Sequence, residues 1–183
     1  MFNKNQVVAV VMGGPSAERE VSLNTGAAIA NALREYGYTN VVEIDLDPRN
    51  FGKQLAESKA EVVFNAVHGL YGEDGRLQTL LEIREMPYTG SGMIASVSCM
   101  DKVITKRMLR DAGISTPACL IVNKKESGIK EKIMQRFSLP VVIKPASQGS
   151  SIGVEIVKEE KQLDEALANA FKYSRDILVE EFI

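Results

Sequence analysis

Leu139 to Val157 reads LPVVIKPASQGSSIGVEIV. The apolar run Val141-Val142-Ile143 ends in Lys144, and Pro145 stops its continuation. Ser147, Gln148, Gly149, Ser150, Ser151, Ile152 and Gly153 follow, then a second β-branched run from Val154 to Val157. Strand, loop and strand in this order predict a hairpin. Gly149 and Gly153 with Ser147, Ser150 and Ser151 let the loop backbone approach a ligand closely and expose N–H and hydroxyl donors. With Lys144 at its root, the loop suits a polyphosphate covered from above, or it is an ordinary solvent-exposed hairpin. It is not a Walker-type P-loop, which needs GxxxxGK[ST] followed by a helix.

The rest of the chain frames this hairpin. At 183 residues, the chain has room for one large or two small domains. Such a length buries roughly 70% of the unfolded surface. Hydrophobic residues at 45% and charged residues at 25% are ordinary for a globular protein. A net charge of -2 gives no reason to expect a nucleic-acid or acidic-membrane partner. No apolar run approaches the ~20 residues of a membrane span, and MFNKNQ at the start carries no apolar signal region. Cys99 and Cys119 make neither a disulfide framework nor a metal cluster, which fits a reducing cytoplasm. With His68 the one histidine, a multi-histidine zinc site is excluded.

Val7 to Met12 is continuously apolar, as a strand buried on both faces of a parallel sheet requires. Gly13-Gly14-Pro15-Ser16 turns into a helix expected from Arg19 to Tyr36, with Val21, Ala28, Ala32 and Leu33 facing the sheet. That turn lies where open α/β sheets bind ligands. GxGxxG is absent, which argues against a nicotinamide-dependent oxidoreductase, and the Glu18 carboxylate would repel a pyrophosphate. Glu18 suits an amine or hydroxyl ligand, or it is a first-turn acid favoured by the helix dipole. Further strands are expected at 41–44 and 62–67, with helices at 51–57 and at 76–85, the latter capped by Asp74. His68 ends the third strand as a ligand contact or as an anchor for its own loop. Asp101 caps a helix to about Ala112 whose basic face, Lys102, Lys106, Arg107 and Arg110, reads as solvated. Beyond it come a strand at 119–122, a helix near 129–137, the hairpin, a helix at 162–173 and a last strand at 177–181. The fold class is therefore α/β. A Rossmann-like domain with a parallel sheet occupies residues 1–96, and a small antiparallel-rich α+β module occupies residues 97–183. The chain stops at Ile183 directly after an apolar strand, with no residues left to wall the far side of the flap, so part of a parent protein is expected to be missing.

Six segments now stand in order: GGPSAEREVS (Gly13 to Ser22), HGLYGEDGRLQ (His68 to Gln78), PYTGSG (Pro87 to Gly92), MDKVITK (Met100 to Lys106), IKPASQGSSIGV (Ile143 to Val154) and LVEEFI (Leu178 to Ile183). Together they resemble the D-alanine–D-alanine ligase family of the ATP-grasp superfamily, over essentially the whole chain. The resemblance implies a pre-ATP-grasp N-terminal domain that binds substrate, then the central ATP-grasp subdomain, with the C-terminal subdomain absent. It implies catalytic roles for Glu18 and Ser150, and substrate contacts from Glu18 to the first D-alanine's ammonium, from His68 and from Ser150. It implies ATP contacts from Lys102, Lys144, Ser150, Ser151, Glu180, Glu181, Phe182 and Ile183, the last four at the adenine hinge. A lysine ~4 Å from a phosphate charge contributes ~4 kcal/mol at an effective dielectric near 20. Gln148 departs from the glutamate of many relatives. The implied cofactors are ATP and Mg²⁺, with the metal ligands beyond residue 183 and none in this chain, so the 183 residues alone are expected to be inactive. D-alanine and ATP are the implied partners, with a homodimer through the N-terminal domain and a cytoplasmic role in peptidoglycan synthesis. A related ligase with D-lactate or D-serine as acceptor, or a truncated non-catalytic remnant, stands as the alternative.

Overall fold

The computed structural model describes residues 3–183, which form two compact units, the first running to Val97 and the second Ser98–Ile183. In the first unit the continuous apolar run becomes β1 (Val7–Met12), the centre of a parallel sheet. β2 (Asn40–Asp45) flanks it on one side and β3 (Val62–Asn65) on the other, giving the order β2-β1-β3. Val8 stands opposite both Val41 and Val62. Alternate residues of β1 face opposite ways. Ala9 and Val11 pack with Phe51, Leu55, Leu77 and Leu81 from α2 (Phe51–Ser58) and α3 (Arg76–Glu82). Val10 and Met12 pack with Ala30, Leu23, Ile29 and Leu33 of α1 (Arg19–Glu35). Two cores on one strand explain why that strand has no polar face.

The buried face of α1 differs from the expected one. Ser22, Gly26 and Ala30 are buried, and Leu33 packs beside them, whereas Val21, Ala28 and Ala32 are exposed. The small residues let the helix lie close to β1: a Cβ on Gly26 would stand 2.5 Å from the Met12 Cβ. Ser22 Oγ donates to the Ala66 carbonyl at 2.7 Å and accepts from Gly13 N at 2.8 Å, tying the turn after β1 to the end of β3. Asp74 is not the cap residue of α3. Gly75 holds that position in the left-handed region, and Asp74 accepts instead from Arg76 N at 3.1 Å and Tyr71 N at 3.0 Å.

Residues 93–100, expected as a change of character only, form a helix, α4 (Met93–Met100). Its start is fixed from outside: Glu82 Oε1 accepts from Met93 N at 3.0 Å and from the Tyr88 hydroxyl at 2.7 Å.

The second unit is an antiparallel sheet ordered β4-β7-β5-β6, from β4 (Cys119–Asn123), β5 (Val141–Pro145), β6 (Glu155–Val157) and β7 (Asp176–Glu181). One face carries Val122, Val141, Ile143, Val157, Ile177 and Val179. They pack on Ile133 of α6 (Ile129–Arg136) and on Leu163, Ala166 and Ala170 of α7 (Leu163–Ala170). By the period of two, Lys144 and Glu180 belong to the other face. The hairpin forms as expected, with Val141 opposite Val157 and Ile143 opposite Glu155. Asp101 caps α5 (Lys102–Asp111) by accepting from Val103 N at 2.9 Å and Ile104 N at 3.1 Å.

Candidate functional site

In the first unit the loops after β1 and β3 meet at the carboxyl ends of the parallel strands, the position open α/β sheets use for ligands. Ser16 Oγ donates to the His68 carbonyl at 2.7 Å and accepts from Glu18 N at 3.1 Å. His68 Nε2 stands 3.2 Å from Thr25 Oγ1 on α1. Gly69 has φ +68°, and a Cβ there would lie 2.9 Å from Glu18 Oε2. The Glu18 carboxylate rests against this loop at a position whose left-handed backbone favours glycine. Glu18 and His68, 50 residues apart in sequence, thus border one spot.

The charges around that spot are unevenly committed. Arg19 turns to Asp45 through two hydrogen bonds of 2.8 and 2.5 Å, so it does not neutralise its neighbour Glu18. That bonding holds the Asp45 carboxyl below its ordinary value, against the opposing effect of partial burial. Glu73 accepts from Gly69 N at 2.9 Å, and Asp74 accepts from Tyr71 and Arg76. Among the described residues the Glu18 carboxylate has no hydrogen-bonding donor and no cation. A half-buried carboxylate left in this state favours a cationic ligand such as an ammonium. His68 realises the anchoring role through Thr25 and Ser16 while remaining at the border of the same spot.

The second unit gathers three lysines around one carboxylate. Glu180 is 4% exposed. Its Oε1 pairs with Lys106 Nζ at 2.8 Å, and its Oε2 with Lys144 Nζ. Lys144 stands opposite Leu178 in the ladder, so it reaches Glu180 along the diagonal. Lys106, 8% exposed, also donates to the Pro117 carbonyl at 2.8 Å. Lys102 Nζ donates to the Gln148 carbonyl at 2.5 Å, which links α5 to the hairpin loop. Burial first, and then the nearby Lys144, push the Lys102 amine below its ordinary value. Three cations against two carboxylates, Glu180 and the Asp101 that acts on Lys102, leave an excess positive charge beside the loop, which suits a phosphate group.

The loop itself is a run of turns. Ile152 N donates to Gly149 O and Val154 N to Ser151 O, both at 3.1 Å. Ser150 and Ser151 hold φ of 51° and 59°, in the left-handed region that non-glycine residues seldom adopt. Both are exposed, and neither hydroxyl has a hydrogen-bond partner among the described residues. Strain of about 1–3 kcal/mol per residue of this kind is typical of ligand clamps.

The expected hinge residues separate. Glu180 is turned into the lysine cluster. Glu181 is used by the sheet edge, accepting from Ala118 N at 2.6 Å and donating its own N–H to Ala118 O at 3.1 Å. Phe182 and Ile183 are exposed, Ile183 at 87%. Lys106 is the residue that the sequence reading missed. Its signal was the four-residue spacing from Lys102, which places both ammonium groups on one face of α5. Among the described residues no three His, Cys, Asp or Glu side chains converge to hold a metal ion. No helix among them is long and apolar enough to cross a membrane.

Residues 47–91 match the family model of the D-ala D-ala ligase N-terminus, and residues 108–183 match that of the D-ala D-ala ligase C-terminus. The D-alanine–D-alanine ligase of Moorella thermoacetica is 48% identical over 183 residues, which cover 96% of this chain and 58% of the relative. That of Carboxydothermus hydrogenoformans is 46% identical over 180 residues, with 96% and 57% covered. Among solved structures, D-alanine–D-alanine ligase from Bacillus anthracis superposes with a TM-score of 0.83 at 34% identity, covering 97% of this chain and 58% of that one. The same enzyme complexed with ATP gives 0.81 at 33% identity, with 97% and 59% covered. The chain thus spans less than three-fifths of the length of these relatives.

Proposed function

Because the chain belongs to the D-alanine–D-alanine ligase family, we propose that it carries the first-substrate and triphosphate sites of an ATP-dependent ligase joining two D-alanines. The observation that carries this reading is the cluster of Lys102, Lys106 and Lys144 around Glu180 beside the Ser147–Gly153 loop. The unpartnered Glu18 beside Gly69 supports it from the first unit. Residues 1–96 form the substrate-binding domain and residues 97–183 the nucleotide-binding subdomain.

In this reading Glu18 takes the ammonium of the first D-alanine, and His68 borders its carboxylate. One oxygen of that carboxylate attacks the γ-phosphorus of ATP, the bond to the bridging oxygen breaks, and ADP leaves. The amine of the second D-alanine then attacks the acyl carbon. It loses a proton as inorganic phosphate departs, and the peptide bond is left. Phosphoryl transfer of this kind depends on positioning and charge neutralisation. Lys144 and Lys102 supply the positive charge, and the serine loop, with Ser150 nearest the transferred group, excludes water from the acyl phosphate. Glu181, Phe182 and Ile183 form one wall of the adenine pocket. Magnesium, which the family's chemistry implies, finds no ligand set among the described residues. The setting is cytoplasmic, in line with two unpaired cysteines, and the protein is a homodimer through its first domain.

The test is ATP-dependent phosphate release by the full natural chain, with D-alanine present and then omitted. Release that requires D-alanine, together with recovery of the dipeptide, supports the reading. Release indifferent to D-alanine contradicts it. Replacing the second D-alanine by D-lactate or D-serine separates the related ligases.

A further inference from the structure

We infer that Lys106 is a positioning residue that sets how much of the Lys144 charge reaches the nucleotide, acting through Glu180. This rests on the proposed ATP site. Lys106 is 8% exposed, and its ammonium donates to Glu180 Oε1 and to the Pro117 carbonyl, each at 2.8 Å. A group so enclosed and so bonded is not the one that touches phosphate. Lys144, with 23% of its side chain exposed, holds the other oxygen of Glu180 and remains open on its outer side.

The consequence follows from the cost of a buried carboxylate. With both lysines present, each oxygen of Glu180 has its own cation. Remove the Lys106 charge, and the carboxylate has Lys144 alone to satisfy it. Lys144 is then drawn inward, and its field at the phosphates falls. Lys106 therefore acts on phosphate binding without contacting phosphate. The sequence supplies the arrangement simply, since Lys102 and Lys106 stand one helical turn apart on α5.

The experiment compares dissociation constants for ATP and for adenosine, which lacks phosphates, in the full natural chain and in Lys106→Met, Lys106→Arg and the double variant Lys106→Met/Glu180→Gln. Lys106→Met weakens ATP by about tenfold and adenosine by less than about twofold, so the ratio of the two moves. Lys106→Arg keeps the ratio near that of the wild type. The double variant restores the ratio, because the neutral amide no longer competes for Lys144. It also provides the comparison if Lys106→Met alone does not fold. Equal loss of ATP and adenosine affinity, an unchanged ratio in Lys106→Met, or a ratio that stays low in the double variant overturns the inference. Wild-type protein that does not bind ATP would instead overturn the proposed function itself.

Discussion

Lys106 Nζ lies 2.8 Å from Glu180 Oε1, and both side chains are at least nine-tenths buried. Removing Lys106 leaves the Glu180 carboxylate with Lys144 as its remaining cation and the Pro117 carbonyl without this donor, at a cost of about 1–3 kcal/mol. Lys106→Met is expected to lower the unfolding free energy by that amount in denaturant titrations. Lys106→Met/Glu180→Gln recovers part of it, since the carboxylate that had lost one of its two cations is gone.

The depressed Lys102 amine gives a pH signature. Its value in the folded protein lies below 10.5, mainly through burial and next through Lys144. Between that folded value and 10.5 the folded form binds fewer protons than the unfolded form, so stability rises with pH across this interval. The contribution is fully present above 10.5 and is lost as pH falls through the folded value. Nucleotide binding, which needs the ammonium, runs the other way, with ATP affinity falling as pH rises through the folded value. Denaturant titrations and ATP binding followed across this range should show the two opposite slopes, and Lys102→Met should remove both.

Gly26→Ala sets two effects against each other. Alanine gains about 1 kcal/mol of helix propensity in α1. Its Cβ, however, would stand 2.5 Å from the Met12 Cβ, close to the β1 backbone, and overpacking of this kind costs about 1–3 kcal/mol. Net destabilisation, read as a lower midpoint of unfolding, is the expected result.

Glu82 staples the start of α4 by accepting from Tyr88 and Met93. The same contact, after desolvation, pushes the Tyr88 hydroxyl up to about 12. Tyr88→Phe removes one of these bonds at a cost of about 0.5–1.5 kcal/mol. Ultraviolet titration should place the Tyr88 ionisation lower in Glu82→Ala than in the wild type.

Much of the architecture was legible. The unbroken Val7–Met12 run announced a strand with two cores, and the runs around Ser147–Gly153 announced the β5–β6 hairpin. Asp101 capped its helix as its position suggested. The contacting face of α1 was not legible, because close approach selected Ser22, Gly26 and Ala30 over larger side chains. α4 escaped because its starting partner, Glu82, lies 11 residues earlier in the chain. For the site, the motifs marked Glu18, His68, Lys102 and Lys144. Lys106 was hidden because a lysine on a basic helix is ordinarily solvated, and only the sheet's inward Glu180 makes it otherwise.

Oxygen tracing tests whether an acyl phosphate forms. The full natural chain is supplied with ATP and with D-alanine carrying ¹⁸O at both carboxylate oxygens, and the released phosphate is analysed by mass. Attack by a D-alanine carboxylate oxygen on the γ-phosphorus predicts one ¹⁸O in each phosphate released. Phosphate free of ¹⁸O, formed alongside the dipeptide, would contradict it.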